Sequence, residues 1–478
     1  MDMTVQKQLP SRRLALLLIG LVALSCFVFV RASSAAVPPA GLNCVASDGK
    51  INGRGSTYQV DAQKLFAETY RDDFCGATPG SPEDVAGSTM IAYDYAAAVA
   101  ASATGSGNGL KAASCRTDAF AGTDLPYSKE QLTQLDGAPG ATGGCSISFE
   151  PPFQPKPGPW PNAADIQANI MSFPIAGSSV TLPVHLTAAN CGGTAPTSLS
   201  FTANEVSRIF GGDIAKWNDP ELVANNASLS KCEIAITRVV RFDNSGTTGI
   251  FKNYLIRIDN ERTTTTSCTG GSPTKTWTFY DGSPNTLWPG QTAGDGTCSA
   301  IITAGTSGGQ ALVAKLKETE GGIGYADLAD AAGQGLIMSN VRNATNTSYQ
   351  APSSGKGANC DYSVLSLPGA TSSDAVGLNA EDTWANNNAP NPDHQNATDL
   401  GSKYPICGLT FDLVYTGLDN GSVANADSRL TADQRRTLYS YMTFILSSAA
   451  QDGLSSANYA PLPSSWLPKL RGGFQANF

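Results

Sequence analysis

Arg241, Ser245, Gly246 and Thr247 fall in one short stretch whose residue types suit the capture of an anion. The run from Ile236 to Thr248 reads as an apolar strand that delivers an arginine. A tight polar turn follows, and then a helix opening at Ser245-Gly246-Thr247. A guanidinium is a planar fork matched to a tetrahedral oxyanion. The first turn of a helix has unpaired N–H groups and the positive end of the dipole. Ser245 and Thr247 add hydroxyl donors, and Gly246 lets backbone approach a ligand closely. Asp243 is expected to pair with Arg241 and hold its guanidinium in place. Taken alone, Arg241 would be read as a surface ion pair with Asp243; its neighbours reverse that reading.

Three further segments bear on the same chemistry. Gly53-Arg54-Gly55-Ser56-Thr57-Tyr58 precedes a helical run through Leu65 and Phe66. Thr104-Gly105-Ser106-Gly107 likewise opens a helical run, and Phe120-Ala121-Gly122-Thr123-Asp124 places one carboxylate after an apolar strand. Singly these are punctuation: Thr57 and Ser106 would be helix caps and Asp124 a turn residue. Arg54 is read as a solvated turn residue in preference to an extra anion contact. Gly305-Thr306-Ser307-Gly308-Gly309 fits the nucleophile elbow of serine hydrolases, but only His394 follows it, inside a polar loop. The hydrolase reading is the weaker one.

These segments need strands ending at helix N-termini, and strand-like and helix-like patterns do alternate along the chain, as an α/β architecture requires. Thr202-Ala203-Asn204-Glu205 is a capping-box pattern ahead of Val206, Ile209 and Phe210. Thr431 is expected to open a long helix through Leu438, Met442 and Ile445, with Gly453 near its end. Three stretches, at about 127–171, 263–297 and 340–403, are loop-rich and read as surface elaborations.

The N-terminus reads as an export signal: Arg12-Arg13, an apolar run from Leu14 to Val30, then small residues to Ala36. Cleavage near Ala36 is expected, with an uncleaved anchor as the alternative. Of eleven cysteines, ten follow this leader, an even number that points to disulfides in an exported chain. Cys191–Cys232 and Cys268–Cys298 are the expected pairs, each closing one loop-rich segment. With no C-x-x-C and two distant histidines, neither a metal site nor a cofactor is expected. The net charge is -9, and the leader holds Lys7, Arg12, Arg13 and Arg31 against Asp2, or +3, leaving -12 for the rest. So acidic a surface disfavours nucleic acid as a partner. An anion site here must work through local, directed hydrogen bonds.

In this order, the four segments resemble the periplasmic phosphate-binding proteins of ABC-type phosphate importers. The stretches Ile209-Phe210-Gly211-Gly212-Asp213-Ile214-Ala215-Lys216-Trp217-Asn218, Gly321-Gly322-Ile323-Gly324-Tyr325-Ala326 and Tyr459-Ala460-Pro461-Leu462-Pro463 strengthen the likeness, which runs from about Ile51 to Leu470. The resemblance implies an α/β, two-lobed periplasmic binding protein-like fold of type II, with mixed sheets flanked by helices and two interlobe crossovers. Lobe one would hold residues 37–176 and 408–478, and lobe two residues 177–407, after a signal peptide over 1–36. Phosphate would meet Thr57 and the Tyr58 backbone, Ser106, and Arg241, Ser245, Gly246 and Thr247. Asp124 would accept a hydrogen bond from the protonated ligand, which sulfate cannot supply. The implied partners are inorganic phosphate and the permease subunits of an ABC importer, for a monomer working in the periplasm or as a secreted protein, without catalysis. A secreted adhesin or scavenger lacking a permease, or a binder of another tetrahedral oxyanion, is the alternative. This chain departs from the family's usual Ala-Thr-Phe-Pro with Ser56-Thr57-Tyr58-Gln59, and its large insertions bear on the face a permease would meet.

Overall fold

The computed structural model describes residues 51–71, 91–94, 105–115, 118–124, 170–241, 243–258, 288, 300–365, 399, 401–415, 430 and 432–477. The expected leader, the pair Cys268–Cys298, His394 and most of the 127–171 and 263–297 stretches lie outside them. All described residues belong to one compact unit, Pro38–Phe478. Among them no helix is long and apolar enough to cross a membrane.

The chain begins with β1 (Ile51–Gly55), α1 (Val60–Thr69), β2 (Ile91–Asp94), α2 (Ser106–Cys115) and β3 (Phe120–Thr123). Next come β4 (Ile170–Thr181), β5 (Pro183–His185), β6 (Ser200–Phe201), α3 (Ala203–Gly211), α4 (Pro220–Asn225), β7 (Thr237–Val240) and α5 (Gly246–Ile258). Then follow β8 (Ala300–Thr303), α6 (Gly309–Lys317), β9 (Gly322–Gly324), β10 (Ala326–Asp327), α7 (Leu328–Ala331), β11 (Ile337–Met338) and β12 (Asn340–Arg342). The last elements are β13 (Tyr349–Gln350), β14 (Ser353–Ser354), β15 (Gly357–Ala358), β16 (Cys407–Tyr415), α8 (Ala432–Ile445), α9 (Ser448–Asp452) and α10 (Leu467–Asn477).

Two mixed sheets carry the architecture. One has the order β10-β4-β16-β3-β1-β2, the other β11-β5-β9-β7-β8. In the first, β1 pairs in parallel with β2 and β3, while β16 is antiparallel to β3 and β4. In the second, β7 pairs in parallel with β8 and β9. Each parallel strand needs a covered face, and the sequence supplies it: Phe66, Ile250, Phe251, Leu312 and Leu316 on the helices are fully buried. The chain leaves the first sheet at Leu182, between β4 and β5. It rejoins that sheet at β10 and finally at β16. The brief visit of β10, which pairs with Val180 and Thr181, comes in addition to the two expected crossovers.

The capping box at α3 forms as expected. Glu205 N–H donates to Thr202 Oγ1 at 3.2 Å, and Thr202 N–H donates to Glu205 Oε2 at 2.6 Å. The helix expected from Thr431 toward Gly453 is split: α8 stops at Ile445, because Ser447 caps a separate helix, accepting from Ala450 N–H at 3.3 Å. The 340–403 stretch is no mere elaboration over its described part. Val341 and Tyr362 are buried, and Cys360 is bonded to Cys407 at the start of β16. This disulfide was not expected; Cys191–Cys232 was, and it forms.

Candidate functional site

The ends of β1, β3 and β7 and the starts of α2 and α5 converge. At the end of β1, Ser56 caps a short turn and Thr57 follows it. After β3 comes Asp124, 1% exposed. Its Oδ1 accepts from Ser56 Oγ at 2.5 Å and from Thr410 Oγ1 of β16 at 2.7 Å. Its Oδ2 accepts from Ser106 Oγ, the first residue of α2, at 2.8 Å. The Asp124 N–H in turn donates to Ser106 Oγ at 3.1 Å.

From the second sheet, β7 delivers Arg241, which is buried. Its Nε donates to Asp243 Oδ1 at 2.7 Å and its Nη2 to Asp243 Oδ2 at 2.6 Å, a bidentate pair. Nη2 also reaches Thr57 Oγ1 at 3.4 Å. The Arg241 N–H donates to Tyr325 Oη at 3.2 Å, and that phenol also meets Thr248 Oγ1 at 2.8 Å. Tyr325 packs against Phe251 and Trp288, so the base of the turn is fixed by an aromatic cluster. Ser245 Oγ accepts from Thr248 N–H at 3.2 Å, capping α5.

The two sets of residues touch. A Cβ on Gly246 would collide with Ser106 Oγ and Asp124 Oδ2, so only a glycine allows α5 to start there. Gly105 sits at φ 103°, and a Cβ on it would lie 2.7 Å from Asn244 O and 2.8 Å from Asp243 Oδ2. Thr57, Ser106, Asp124, Arg241, Asp243, Ser245 and Gly246 are thus one neighbourhood, and Thr247, also buried, follows Gly246 in the first turn of α5.

Most polar atoms here have partners within the protein; two do not. Arg241 Nη1 and Thr247 Oγ1 are both buried and without a hydrogen-bond partner. Such atoms are rare in native proteins because each lost bond costs about 1–3 kcal/mol. Tyr58 differs from its expected part. Its N–H donates to Ser56 Oγ at 3.0 Å and its phenol to Ser178 O at 2.5 Å. The Ser106 proton is likewise directed at Asp124. Arg54 lies in β1, part-exposed, with its Nε 3.4 Å from Asp118 Oδ2.

The electrostatics follow from burial. Removal from water pushes the Asp124 carboxyl up, and the bonds from Ser56, Thr410 and Ser106, together with Arg241, limit the rise to about 6. Burial works to lower the Arg241 guanidinium, but the charge and hydrogen bonds of Asp243 prevail and hold it above its ordinary range. A pair of buried carboxylates lies nearby where β10 meets α7: Asp330 N–H donates to Asp327 Oδ1 at 2.9 Å. Burial raises both, Asp330 to about 6. No group of three or more His, Cys, Asp or Glu suited to a metal occurs among the described residues.

The profile of the PBP superfamily domain matches residues 47–366. The chain belongs to the PBP superfamily. Among its relatives in that superfamily, the phosphate-binding protein PstS of Xylella fastidiosa is 25% identical over 313 residues, which is 65% of this chain and 68% of the relative. The phosphate-binding protein PstS3 of Mycobacterium bovis is 22% identical over 420 residues, 88% of this chain and 84% of the relative. Among solved structures, a high affinity periplasmic phosphate-binding protein bound with phosphate superposes with a TM-score of 0.51 at 19% identity. A human phosphate binding apolipoprotein does so with a TM-score of 0.52 at 20% identity. Each covers 87% of this chain and is itself covered over 92%. The fold of this PBP superfamily member is therefore the α/β, type II arrangement of mixed sheets flanked by helices that its sequence implied.

Ser56, Thr410 and Tyr325 are the site residues that sequence reasoning missed. Ser56 and Tyr325 stood inside motifs already singled out, but as a departure from a pattern and as a supporting stretch. Thr410 had no local signal at all, because it reaches Asp124 across 286 residues of chain.

Proposed function

We propose that this chain binds inorganic phosphate outside the cytoplasmic membrane and delivers it to an ABC-type importer, as a binding protein and not an enzyme. One observation carries the reading. Two buried donors, Arg241 Nη1 and Thr247 Oγ1, lack partners in the neighbourhood of a buried carboxylate, Asp124. Donors in search of an acceptor call for an anion, and a fixed acceptor among them calls for an anion that still carries a proton. Hydrogen phosphate satisfies both demands; sulfate at neutral pH leaves Asp124 opposed by lone pairs. The printed names of the relatives agree with this choice.

Arg241, Ser245, Gly246 and Thr247 form the donor side, with Asp243 holding the guanidinium. Thr57 and Ser106 line the opposite side with Asp124. Tyr58 has the weakest support, its N–H being engaged by Ser56. Because Asp243 neutralises Arg241, affinity for a dianion rests on directed N–H and O–H groups and on the N-termini of α2 and α5. Most of each sheet would fall in one lobe, residues 37–176 with 408–478 and residues 177–407, with β10 of the second returning to the first sheet and the lobes closing on the ligand.

Calorimetric titration with phosphate and with sulfate near neutral pH tests the proposal. Tight phosphate binding with sulfate weaker by on the order of 10⁴-fold is expected. Equal affinities would sink the role given to Asp124, and heat from neither would sink the function.

A further inference from the structure

We infer that Thr410, together with Ser56, is a specificity-determining positioning residue: its hydroxyl holds Asp124 as an ionised acceptor with Oδ2 turned toward α5, and so sets the pH below which the site stops rejecting unprotonated oxyanions. The inference rests on the phosphate reading above and adds to it the residue that regulates selectivity.

The geometry is a matter of counting protons and lone pairs. Asp124 is shielded from water, and among the described residues no cation bonds to its carboxylate; Arg241, which acts on it by charge, spends Nε and Nη2 on Asp243. Its charge is therefore held by hydroxyls. A serine or threonine hydroxyl has one proton to give. Ser56 Oγ accepts from Tyr58 N–H and Ser106 Oγ accepts from Asp124 N–H, so both direct their proton to the carboxylate. Thr410 Oγ1 lies 2.7 Å from Asp124 Oδ1 and 3.4 Å from Thr123 O, so its proton belongs to Asp124. Oδ1 then has two donors and is full. Oδ2 has one, from Ser106, and keeps a lone pair. Oδ2 is also the oxygen against Gly246, at the opening of α5. The ligand's proton has one place to go.

Thr410 is well fixed for this task. The register of β4 against β16 shifts between Thr410 and Phe411, an irregularity of the kind that re-aims a side chain. The other titratable groups facing Asp124 are Arg241 from the β7–α5 turn, Tyr58 after β1 and Tyr93 on β2. Both phenols are held well above their ordinary range, by burial first, and stay neutral. The hydroxyls are thus the principal counterweight to the desolvation that raises Asp124.

The sign follows directly. Once protonated, Asp124 can donate, and an unprotonated oxyanion such as sulfate becomes acceptable. Removing a donor to the ionised form raises the pH at which that happens. The test uses the full chain with Thr410→Val, which removes the hydroxyl at nearly constant shape, and Thr410→Ser, which keeps it. Carbon-13 NMR of the labelled aspartate carboxyl reads the Asp124 titration without ligand, and calorimetry over a pH series reads sulfate against phosphate. Thr410→Val is expected to move the Asp124 titration up by about one pH unit. Sulfate should begin to compete at a correspondingly higher pH, and Thr410→Ser should restore both. An unshifted carboxyl titration in Thr410→Val overturns the inference, as does a shift without any change in the sulfate profile. If the wild-type protein binds neither anion, the phosphate reading and the selectivity role fall together. The NMR arm then still reports whether Thr410 holds the carboxylate.

Discussion

The two sides of the site are built in opposite ways. On the first sheet, Asp124 is surrounded by donors from its own protein: Ser56, Ser106 and Thr410 supply three hydroxyls to one carboxylate. On the second, the turn from β7 into α5 keeps Arg241 Nη1 and Thr247 Oγ1 buried and unpartnered. The acceptor side keeps a single lone pair, on Asp124 Oδ2, and is otherwise satisfied before any ligand arrives, whereas the donor side holds two buried atoms with no partner. Affinity should therefore reside in the donor side and selectivity in the acceptor side, and the two should respond differently to substitution.

The largest effect is expected where the donor side loses its charge. Arg241→Ala should weaken phosphate binding by at least about 10³-fold, since it removes a buried charged donor and strands Asp243. Its stability, read by chemical denaturation, should fall by roughly 3–5 kcal/mol for the same reason. Were the affinity to change by less than tenfold, the division of labour between the two sides would be wrong. Gly246→Ala probes the seam between them. Its Cβ would collide with Ser106 Oγ and Asp124 Oδ2, forcing the two sides apart. Overpacking of this kind costs about 1–3 kcal/mol, so calorimetry should find about 10- to 100-fold weaker binding. Unaltered affinity would mean that the two sides need not meet.

The smallest effect concerns a carboxylate behind the acceptor side. Asp412, on β16 beyond Thr410, is buried and accepts from Gln63 Nε2 at 2.9 and 3.0 Å. Burial pushes its carboxyl up to about 8. Its folded value lies above its unfolded one, so its contribution to stability is complete below the unfolded value and is lost as pH rises through about 8. Thermal melts of the wild type should lose a few degrees between about pH 6 and about pH 9. Asp412→Asn should flatten that decline and leave phosphate affinity unchanged. A decline as steep in the variant would assign the pH dependence elsewhere, with Asp327 and Asp330 the next groups to examine.

The donor side was legible in the sequence because its parts are neighbours. Arg241 and Asp243 are two residues apart and α5 opens within the same run, so strand, turn and helix signals coincide. The capping box at Thr202 and Glu205 was legible for the same reason. The acceptor side was only half legible. Asp124 and Ser106 stood out by motif, but the role of Thr410 depends on β16 pairing beside β3, a contact that no local pattern encodes. Cys360–Cys407 went unread likewise, since Cys360 lies in a stretch that looked like an insertion, while the structure folds Tyr362 against Ser178 O and Gly408 O. Asn226 and Asn343, each in an Asn-x-Ser/Thr pattern that by sequence alone suggests a surface loop, are buried structural asparagines. Asn226 donates to Ser200 O and Asn343 to Ser402 O.

The most direct test of the whole account is a crystal structure of the protein grown with phosphate. The account predicts the anion within hydrogen-bond distance of Arg241 Nη1 and Thr247 Oγ1, with its remaining proton on Asp124 Oδ2. An anion bound elsewhere, with Arg241 Nη1 still unpartnered, would contradict it.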